Sequence, residues 1–154
     1  MNYPKYDLVS NDASTIFEFI SIGNNGEISK AILYASTNDE NVYNLSFGNK
    51  IMSGSGQFNI DDRIITDNGD RNIILATVAW SVYIFTEKYP NYYVFFRGST
   101  PSRTRLYRMA ISNSLGEISE TFSIFGAMIN KNGKVMNVPF NPKNDFFGFI
   151  IKRK

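Results

Sequence analysis

The sequence predicts an α+β fold, in which a mainly antiparallel sheet carries two helices packed on one face. We expect the sheet to consist of an N-terminal meander and a C-terminal hairpin, because short apolar runs separated by Asn- and Gly-rich turns occupy both ends of the chain. Two helical patterns lie between these ends. The length of 154 residues fits a single domain over residues 1–154.

The N-terminal meander is predicted from apolar runs that alternate with turn residues. The turn at 23–26 contains two asparagines between two glycines, which tolerate the positive φ of a tight hairpin. Tyr43, Leu45 and Phe47 alternate with polar residues, which indicates a half-buried strand. The strands are predicted at 16–22, at 28–34, around 43–47 and, as a short strand, at 63–66, with a Gly- and Ser-rich connection at 52–56.

The first helix is predicted between Asp70 and Pro90. Asp70 is a good N-cap, and Pro90 restricts the residue before it, so the helix should end ahead of the proline. Apolar side chains cover most of the circumference, which indicates a helix largely buried against a sheet. The run 92–96 then lacks alternation, which predicts a central strand.

The second helix is predicted to begin at Thr100, a favoured N-cap, followed by Pro101 at the first helical position. We expect it to reach about Ser112 and to be followed by a further helical turn at 117–122. Its inward stripe is predicted as Leu106, Met109, Ala110 and Asn113. The turn at 130–133 predicts a hairpin of 122–128 with 135–140, and the last strand is predicted at 146–151.

Composition excludes several functional classes. With no cysteine and no histidine, the chain has no disulfide, no thiolate or histidine metal site and no Ser-His-Asp catalysis. The aspartates at 61, 62, 67 and 70 lack the spacing of a calcium loop, so we expect no metal and no cofactor. The longest uncharged stretch, 72–86, is too short to span a bilayer, and the N-terminus lacks signal-peptide character, so we expect a cytoplasmic protein without a membrane anchor.

Arginine is concentrated in one short stretch of the chain. Four of the seven arginines lie within residues 97–108, and no acidic residue lies between Glu87 and Glu117. The stretch joins a strand to a helix through a Gly-Ser-Thr turn, and helix N-termini favour anions. Arginine forks suit phosphate and carboxylate. The predicted ligand-binding residues are Arg97, Ser99, Thr100, Ser102, Arg103, Arg105, Tyr107 and Arg108.

A second interpretation of this arginine cluster stays open. Arginines on a helix also pair with acidic residues elsewhere in the fold, cover apolar surface with their stems, or form an ordinary solvated face. The net charge of +2 is too small to imply nucleic-acid binding by the chain as a whole. Any electropositive function must therefore come from local clustering.

The residues 41–48, 68–70, 75–78, 85–90 and 152–154, and above all the segment 98–108, carry a likeness to known sequences. From Val42 onward the chain resembles a family of small uncharacterised bacterial proteins that carry a Gly-Ser-Thr-x-Ser-Arg-Thr-Arg-Leu-Tyr-Arg segment. The resemblance implies a bacterial, cytoplasmic, single-domain protein. It also implies that such genes neighbour another small gene, as in a toxin–antitoxin pair.

Three functional hypotheses follow, and whether the protein is an enzyme is left open. The first is a domain that binds a phosphate-bearing ligand or partner, namely nucleic acid, a nucleotide or an acidic protein, through the arginine cluster. The second is a His-free ribonuclease-like toxin, in which Tyr107 or Glu117 moves protons. The third is a structural subunit that salt-bridges a second copy or an acidic partner and has no small-molecule ligand.

Overall fold

The computed structural model of the protein describes residues 3–54, 57–61 and 68–154. These residues form nine strands and three helices, and all but one of the strand pairs with a recorded register are antiparallel. The chain divides into two compact units, one made of residues 1–35 and 45–88 and the other of residues 36–44 and 89–154. The mixed fold with a mostly antiparallel sheet is as predicted, whereas the single-domain organisation stays a prediction.

The first unit is a meander covered by one long helix. Its elements are β1 (Val9–Ser10), β2 (Ile16–Gly23), β3 (Gly26–Ser36), β4 (Val42–Met52), β5 (Phe58–Asp61) and α1 (Arg71–Lys88). The strands follow the order β1-β2-β3-β4, and β5 pairs with β4. The first three residues of β4 belong to the second unit. The predicted short strand at 63–66 lies outside the described residues.

The helix α1 begins and ends where the sequence indicates. The carbonyl of Asp70 accepts a hydrogen bond from the N–H of Ile74 at 3.0 Å, as expected of an N-cap residue, and the last helical residue is Lys88. Tyr34 stacks on Phe85 with ring centroids 4.2 Å apart, and its hydroxyl shares a 2.8 Å hydrogen bond with Ser81. The helix is therefore anchored to β3 by both apolar and polar contacts.

The second unit places β6 (Tyr93–Phe96) between two neighbours. It pairs in parallel with the beginning of β4 and antiparallel with β9 (Gly148–Arg153). Next come β7 (Phe122–Ile129) and β8 (Val135–Pro139), which form the predicted hairpin. The predicted run 92–96 is thus confirmed as a central strand, and β9 pairs with both β6 and β7.

The two remaining helices are α2 (Pro101–Asn113) and α3 (Leu115–Thr121). The prediction of two helices was wrong by one, since α3 is a separate helix that starts two residues earlier than the helical turn expected at 117–122. Ser114 adopts φ −121° and ψ 20°, which interrupts the helical path between α2 and α3. Gly116, a poor helix former, concealed the start of α3 in the sequence.

The inward face of α2 was predicted wrongly. Its buried residues are Thr104 and Ile111, and Tyr107 between them packs against the cluster of Ile111, Phe146 and Phe149. Met109, placed inward by the prediction, is 51 % exposed, so the buried face lies on another side of the helix. The reason is chemical: the Thr104 hydroxyl finds hydrogen-bond partners at the helix start, so a polar residue occupies an inward position.

No helix within the described ranges is long and apolar enough to cross a membrane.

Candidate functional site

A cleft of about 330 Å³ lies in the second unit, where β6 leads into α2 and the chain approaches β9. The turn 97–100 and the first two turns of α2 contribute one part of its lining, and the segment 145–149 contributes the other. The lining residues are Arg97, Gly98, Ser99, Thr100, Pro101, Thr104, Arg105, Arg108, Asp145, Phe146, Phe147 and Phe149. Five of the eight sequence-predicted site residues are therefore brought together: Arg97, Ser99, Thr100, Arg105 and Arg108.

The turn between β6 and α2 depends on a glycine. A Cβ atom at Gly98 would lie 2.5 Å from both the Cβ of Arg103 and the backbone nitrogen of Thr104. The buried N–H of Gly98 donates to the Oγ1 of Thr104 at 3.0 Å, and that hydroxyl donates to the Thr100 carbonyl at 3.2 Å. One threonine side chain thus holds the turn against the first turn of the helix.

The helix start has the predicted caps. Thr100 is extended, with φ −135° and ψ 158°, and its hydroxyl accepts a hydrogen bond from the N–H of Arg103 at 3.2 Å. Pro101 follows in the first turn, and the N–H of Thr104 donates to the Thr100 carbonyl at 3.1 Å. Among the described residues of this first turn, only the N–H of Ser102 has no acceptor. The backbone donors expected for an anion are therefore mostly used by the chain itself, and charge recognition falls to side chains.

Arg97 is exposed, and its guanidinium carbon lies 4.4 Å from the centroid of the Phe147 ring. Guanidinium groups stack on aromatic faces by cation–π attraction. A stacked guanidinium keeps its N–H donors in its own plane, where they stay available to a ligand. The Phe147 ring therefore positions Arg97 without using its hydrogen-bonding capacity.

Arg105 and Arg108 line the same cleft, but only Arg108 has an acidic partner within the described residues. Arg105 is exposed, and within the described ranges it has neither an ion-pair nor a hydrogen-bond partner. Arg108 is 16 % exposed and donates to the Oδ1 of Asp145 at 2.5 Å and to the Asn144 carbonyl at 2.8 Å. Arg108 therefore links α2 to the segment before β9. For this one arginine, the structure agrees with the interpretation that the cluster pairs with acidic residues elsewhere in the fold.

The lining has an excess of positive charge. It contains three arginines and one aspartate, which gives 3 − 1 = +2. Because Asp145 pairs with Arg108, the uncompensated charge resides on Arg97 and Arg105. Two arginines that line one cleft suit phosphate or carboxylate, because guanidinium groups bind both with paired, charge-assisted hydrogen bonds.

Three sequence-predicted site residues, Ser102, Arg103 and Tyr107, do not line the cleft. Arg103 donates through its NH1 to the Ser99 hydroxyl at 2.8 Å, so it orders the turn from outside. The Tyr107 ring packs toward the core, with its centroid 6.3 Å from that of Phe96. Neither Glu117 nor Glu120, both exposed on α3, belongs to the lining.

The sequence prediction missed the aromatic part of the cleft, formed by Phe146, Phe147 and Phe149. Phe149 is opposite Phe96 in the register between β9 and β6, which brings the C-terminal strand beside the arginine turn. Gly126 on β7 makes room for the Phe146 ring, because a Cβ atom there would lie 2.2 Å from it. The run Phe146-Phe147-Gly148-Phe149 indicates an aromatic segment from the sequence alone. That this segment lies beside the arginine turn follows only from the strand order, in which β9 neighbours β6.

Within the described residues, no group of three or more acidic, histidine or cysteine side chains is arranged to hold a metal ion. Of the aspartates considered from the sequence, 62 and 67 lie outside those residues. Asp70 is buried and accepts hydrogen bonds from the hydroxyls of Ser21 and Tyr6, each at 2.5 Å. Its carboxylate thus links β2, the N-terminal segment and the start of α1.

Comparison with known proteins places the chain in a family. The sequence profile of a family of unknown function, DUF6934, matches residues 2–154. The chain belongs to the DUF6934 family. Neither the curated proteins nor the solved structures contain a match to it. In this DUF6934 member the whole cleft, from Arg97 to Phe149, falls inside the matched region.

Proposed function

We propose that the protein binds a phosphate-bearing ligand in this cleft, with Arg97 and Arg105 as the residues that hold the anion. One observation carries the proposal: these two arginines line the same cleft and neither has an acidic partner among the described residues, whereas the third, Arg108, is paired with Asp145. An anion between Arg97 and Arg105 would receive several charge-assisted hydrogen bonds. The Ser99 and Thr100 side chains at the same edge are further polar contacts.

The arrangement gives less support to the ribonuclease hypothesis and to internal pairing of the whole cluster. A ribonuclease-like toxin needs a group that moves protons beside the phosphate, and Tyr107 and Glu117, the residues considered for this role, do not line the cleft. Internal ion pairing, the second interpretation of the cluster, accounts for Arg108 alone among its arginines within the part of the chain that the structure describes. The structural-subunit hypothesis also uses Arg97 and Arg105, but it expects no small-molecule ligand in the titration that follows.

The test is isothermal titration of the purified protein with inorganic phosphate at low and high salt. We expect measurable binding that weakens as salt screens the charges. The variants Arg97→Gln and Arg105→Gln should each lose affinity about tenfold or more, because each removes a charged hydrogen-bond donor worth about 1.5–3 kcal/mol. Lys131→Gln, at the exposed turn between β7 and β8, removes the same charge outside the cleft and should leave binding unchanged.

Two results would contradict the proposal. One is the absence of binding at low salt by inorganic phosphate and by phosphate monoesters alike. The other is binding that Lys131→Gln weakens as much as Arg105→Gln, since that would show a response to overall charge rather than to this cleft.

A further inference from the structure

We propose that the ligand is a small phosphate monoester that carries a flat aromatic ring, rather than a polymer of phosphodiesters. This inference rests on the proposed function, because it identifies the ligand class of the same cleft. Three properties of the lining carry it: its net charge, the position of its aromatic side chains beside the arginines, and its size.

The first property is the charge of the lining. Three arginines and one aspartate give 3 − 1 = +2. A phosphate monoester carries a charge of about −1.5 to −2 at neutral pH, so it neutralises the cleft. A phosphodiester has one negative charge per phosphate and would leave one of the two uncompensated guanidinium groups without a counter-charge.

The second property is the aromatic surface next to the charge. Phe147 lies directly against the Arg97 guanidinium, with 4.4 Å between the guanidinium carbon and the ring centroid. Phe147 is half-buried and Pro101 is exposed, so these two residues offer the apolar surface of the lining, whereas Phe146 is only 8 % exposed and Phe149 is fully buried. A bare phosphate ion has no group to cover this surface, whereas a ring attached to the phosphate would lie on it while the phosphate stays with Arg97 and Arg105.

The third property is size. The cleft of about 330 Å³ is at the lower end of the range of about 300–1,000 Å³ typical of small-molecule sites. It accommodates one phosphate and one ring system. Single-stranded nucleic acid binds instead along a groove with successive aromatic platforms and a track of cations.

The experiment compares five probes by isothermal titration: inorganic phosphate, AMP, phenyl phosphate, adenosine, and an RNA octamer with hydroxyl groups at both ends. We expect AMP or phenyl phosphate to bind about tenfold more tightly than inorganic phosphate, because ring burial adds to the same anion contacts. Adenosine and the octamer should bind more weakly than either monoester. The tighter of the two monoesters distinguishes a nucleotide from an aryl phosphate.

Variants at position 147 test the role of the ring surface. Phe147→Leu should reduce the ratio of monoester to inorganic phosphate affinity severalfold, because it removes the flat surface and retains an apolar residue. Phe147→Trp retains a flat ring and should keep the ratio. Because the readout is a ratio, a general loss of folded protein does not change it.

Each remaining outcome has a definite meaning. If inorganic phosphate binds through Arg97 and Arg105 but neither monoester binds more tightly, the ring inference is wrong and the proposed function stands. If the octamer without terminal phosphates binds most tightly, a polymer is the ligand and the inference is overturned. If no phosphate compound binds, both this inference and the proposed function fail.

Discussion

Thr104 shows how a single side chain determines the geometry of the cleft. Its hydroxyl accepts the N–H of Gly98 and donates to the Thr100 carbonyl, so it joins the strand end to the helix start. We predict that Thr104→Val lowers the free energy of unfolding by about 1–3 kcal/mol, because the buried N–H of Gly98 loses its acceptor while the shape is kept.

Urea unfolding of the variant measures this effect. Thr104→Ser retains the hydroxyl and is the matched control, which should remain close to the parent protein. A Thr104→Val variant as stable as the parent would show that water or a backbone shift replaces the hydrogen bond.

Tyr34 gives a prediction for alkaline pH. Burial raises the pKa of its phenol far above the ordinary value of 10.0, and the hydrogen bond with Ser81 offsets this only in part. The folded state therefore holds the proton more tightly than the unfolded state does. The resulting contribution to stability is fully present below about pH 10 and is lost as the pH rises further, since unfolded tyrosine then ionises.

We therefore expect Tyr34→Phe to reduce the fall in the free energy of unfolding between pH 8 and about pH 11, since the substituted side chain has no proton to lose. At pH 8 the same variant should be about 1 kcal/mol less stable, because Ser81 loses its hydrogen bond with Tyr34 and keeps only the one to the Val78 carbonyl. Denaturant unfolding at both pH values measures the two effects. Tyr3→Phe, at a half-exposed position, is the control, and an equal alkaline loss in the parent and Tyr34→Phe would contradict the argument.

At the scale of elements, the contact between the β6–α2 turn and its helix leaves no space for a side chain. Gly98→Ala would place a Cβ atom 2.5 Å from the backbone nitrogen of Thr104. We predict a loss of about 1–3 kcal/mol in the free energy of unfolding, together with weaker phosphate binding, because the helix start must move.

The matched control is Gly116→Ala in α3, where a new Cβ atom would meet nothing within 4 Å. Since alanine is the better helix former, the stability of this variant should stay the same or rise by up to about 1 kcal/mol. Thermal denaturation of both variants, with phosphate titration of each, separates the steric effect at the turn from the general effect of replacing glycine. Equal effects of the two substitutions would contradict the steric explanation.

The sequence predicted correctly those helix ends that are determined by residues next to them in the chain. Thr100 and Pro101 gave the start of α2, and Pro90 gave the approximate end of α1, because caps and proline act within a few residues. The buried face of α2 was not predictable in the same way. It depends on Tyr107 packing against a cluster that includes Phe146 and Phe149, which are distant in sequence, and on hydrogen bonds that allow Thr104 to be buried.

In the candidate site, too, the features set by neighbouring residues were predictable and those set by residues distant in sequence were not. Arg97, Arg105 and Arg108 lie close together in the chain, so their clustering was visible in the sequence. The state of each arginine was not: Asp145 pairs with Arg108, and Phe147 stacks on Arg97, only because β9 is the neighbour of β6. Strand order is a property of the whole sheet, which no local pattern encodes.

At the scale of the whole molecule, the single-domain prediction can be tested by asking whether the two units unfold cooperatively. The chain passes between the two units at residues 35–36, 44–45 and 88–89. Because the two units interleave in sequence, we expect them to unfold together in one transition.

The measurement is denaturant unfolding followed both by the fluorescence of Trp80 and by far-UV circular dichroism. Trp80 is the only tryptophan and lies on α1 in the first unit, whereas circular dichroism reports on helices of both units. The two curves should coincide. Distinct midpoints would show that the units unfold separately and that the chain contains two domains.

The interleaving also restricts how a gene of this kind can be rearranged. A fragment encoding residues 1–88 would include Val42, Tyr43 and Asn44 without β6, the strand with which they pair. Recombination at the 88–89 boundary would therefore separate residues 42–44 from β6, and neither product would contain the complete second unit. Insertions that preserve both units belong inside one unit, for example at the exposed residues 131–134 between β7 and β8.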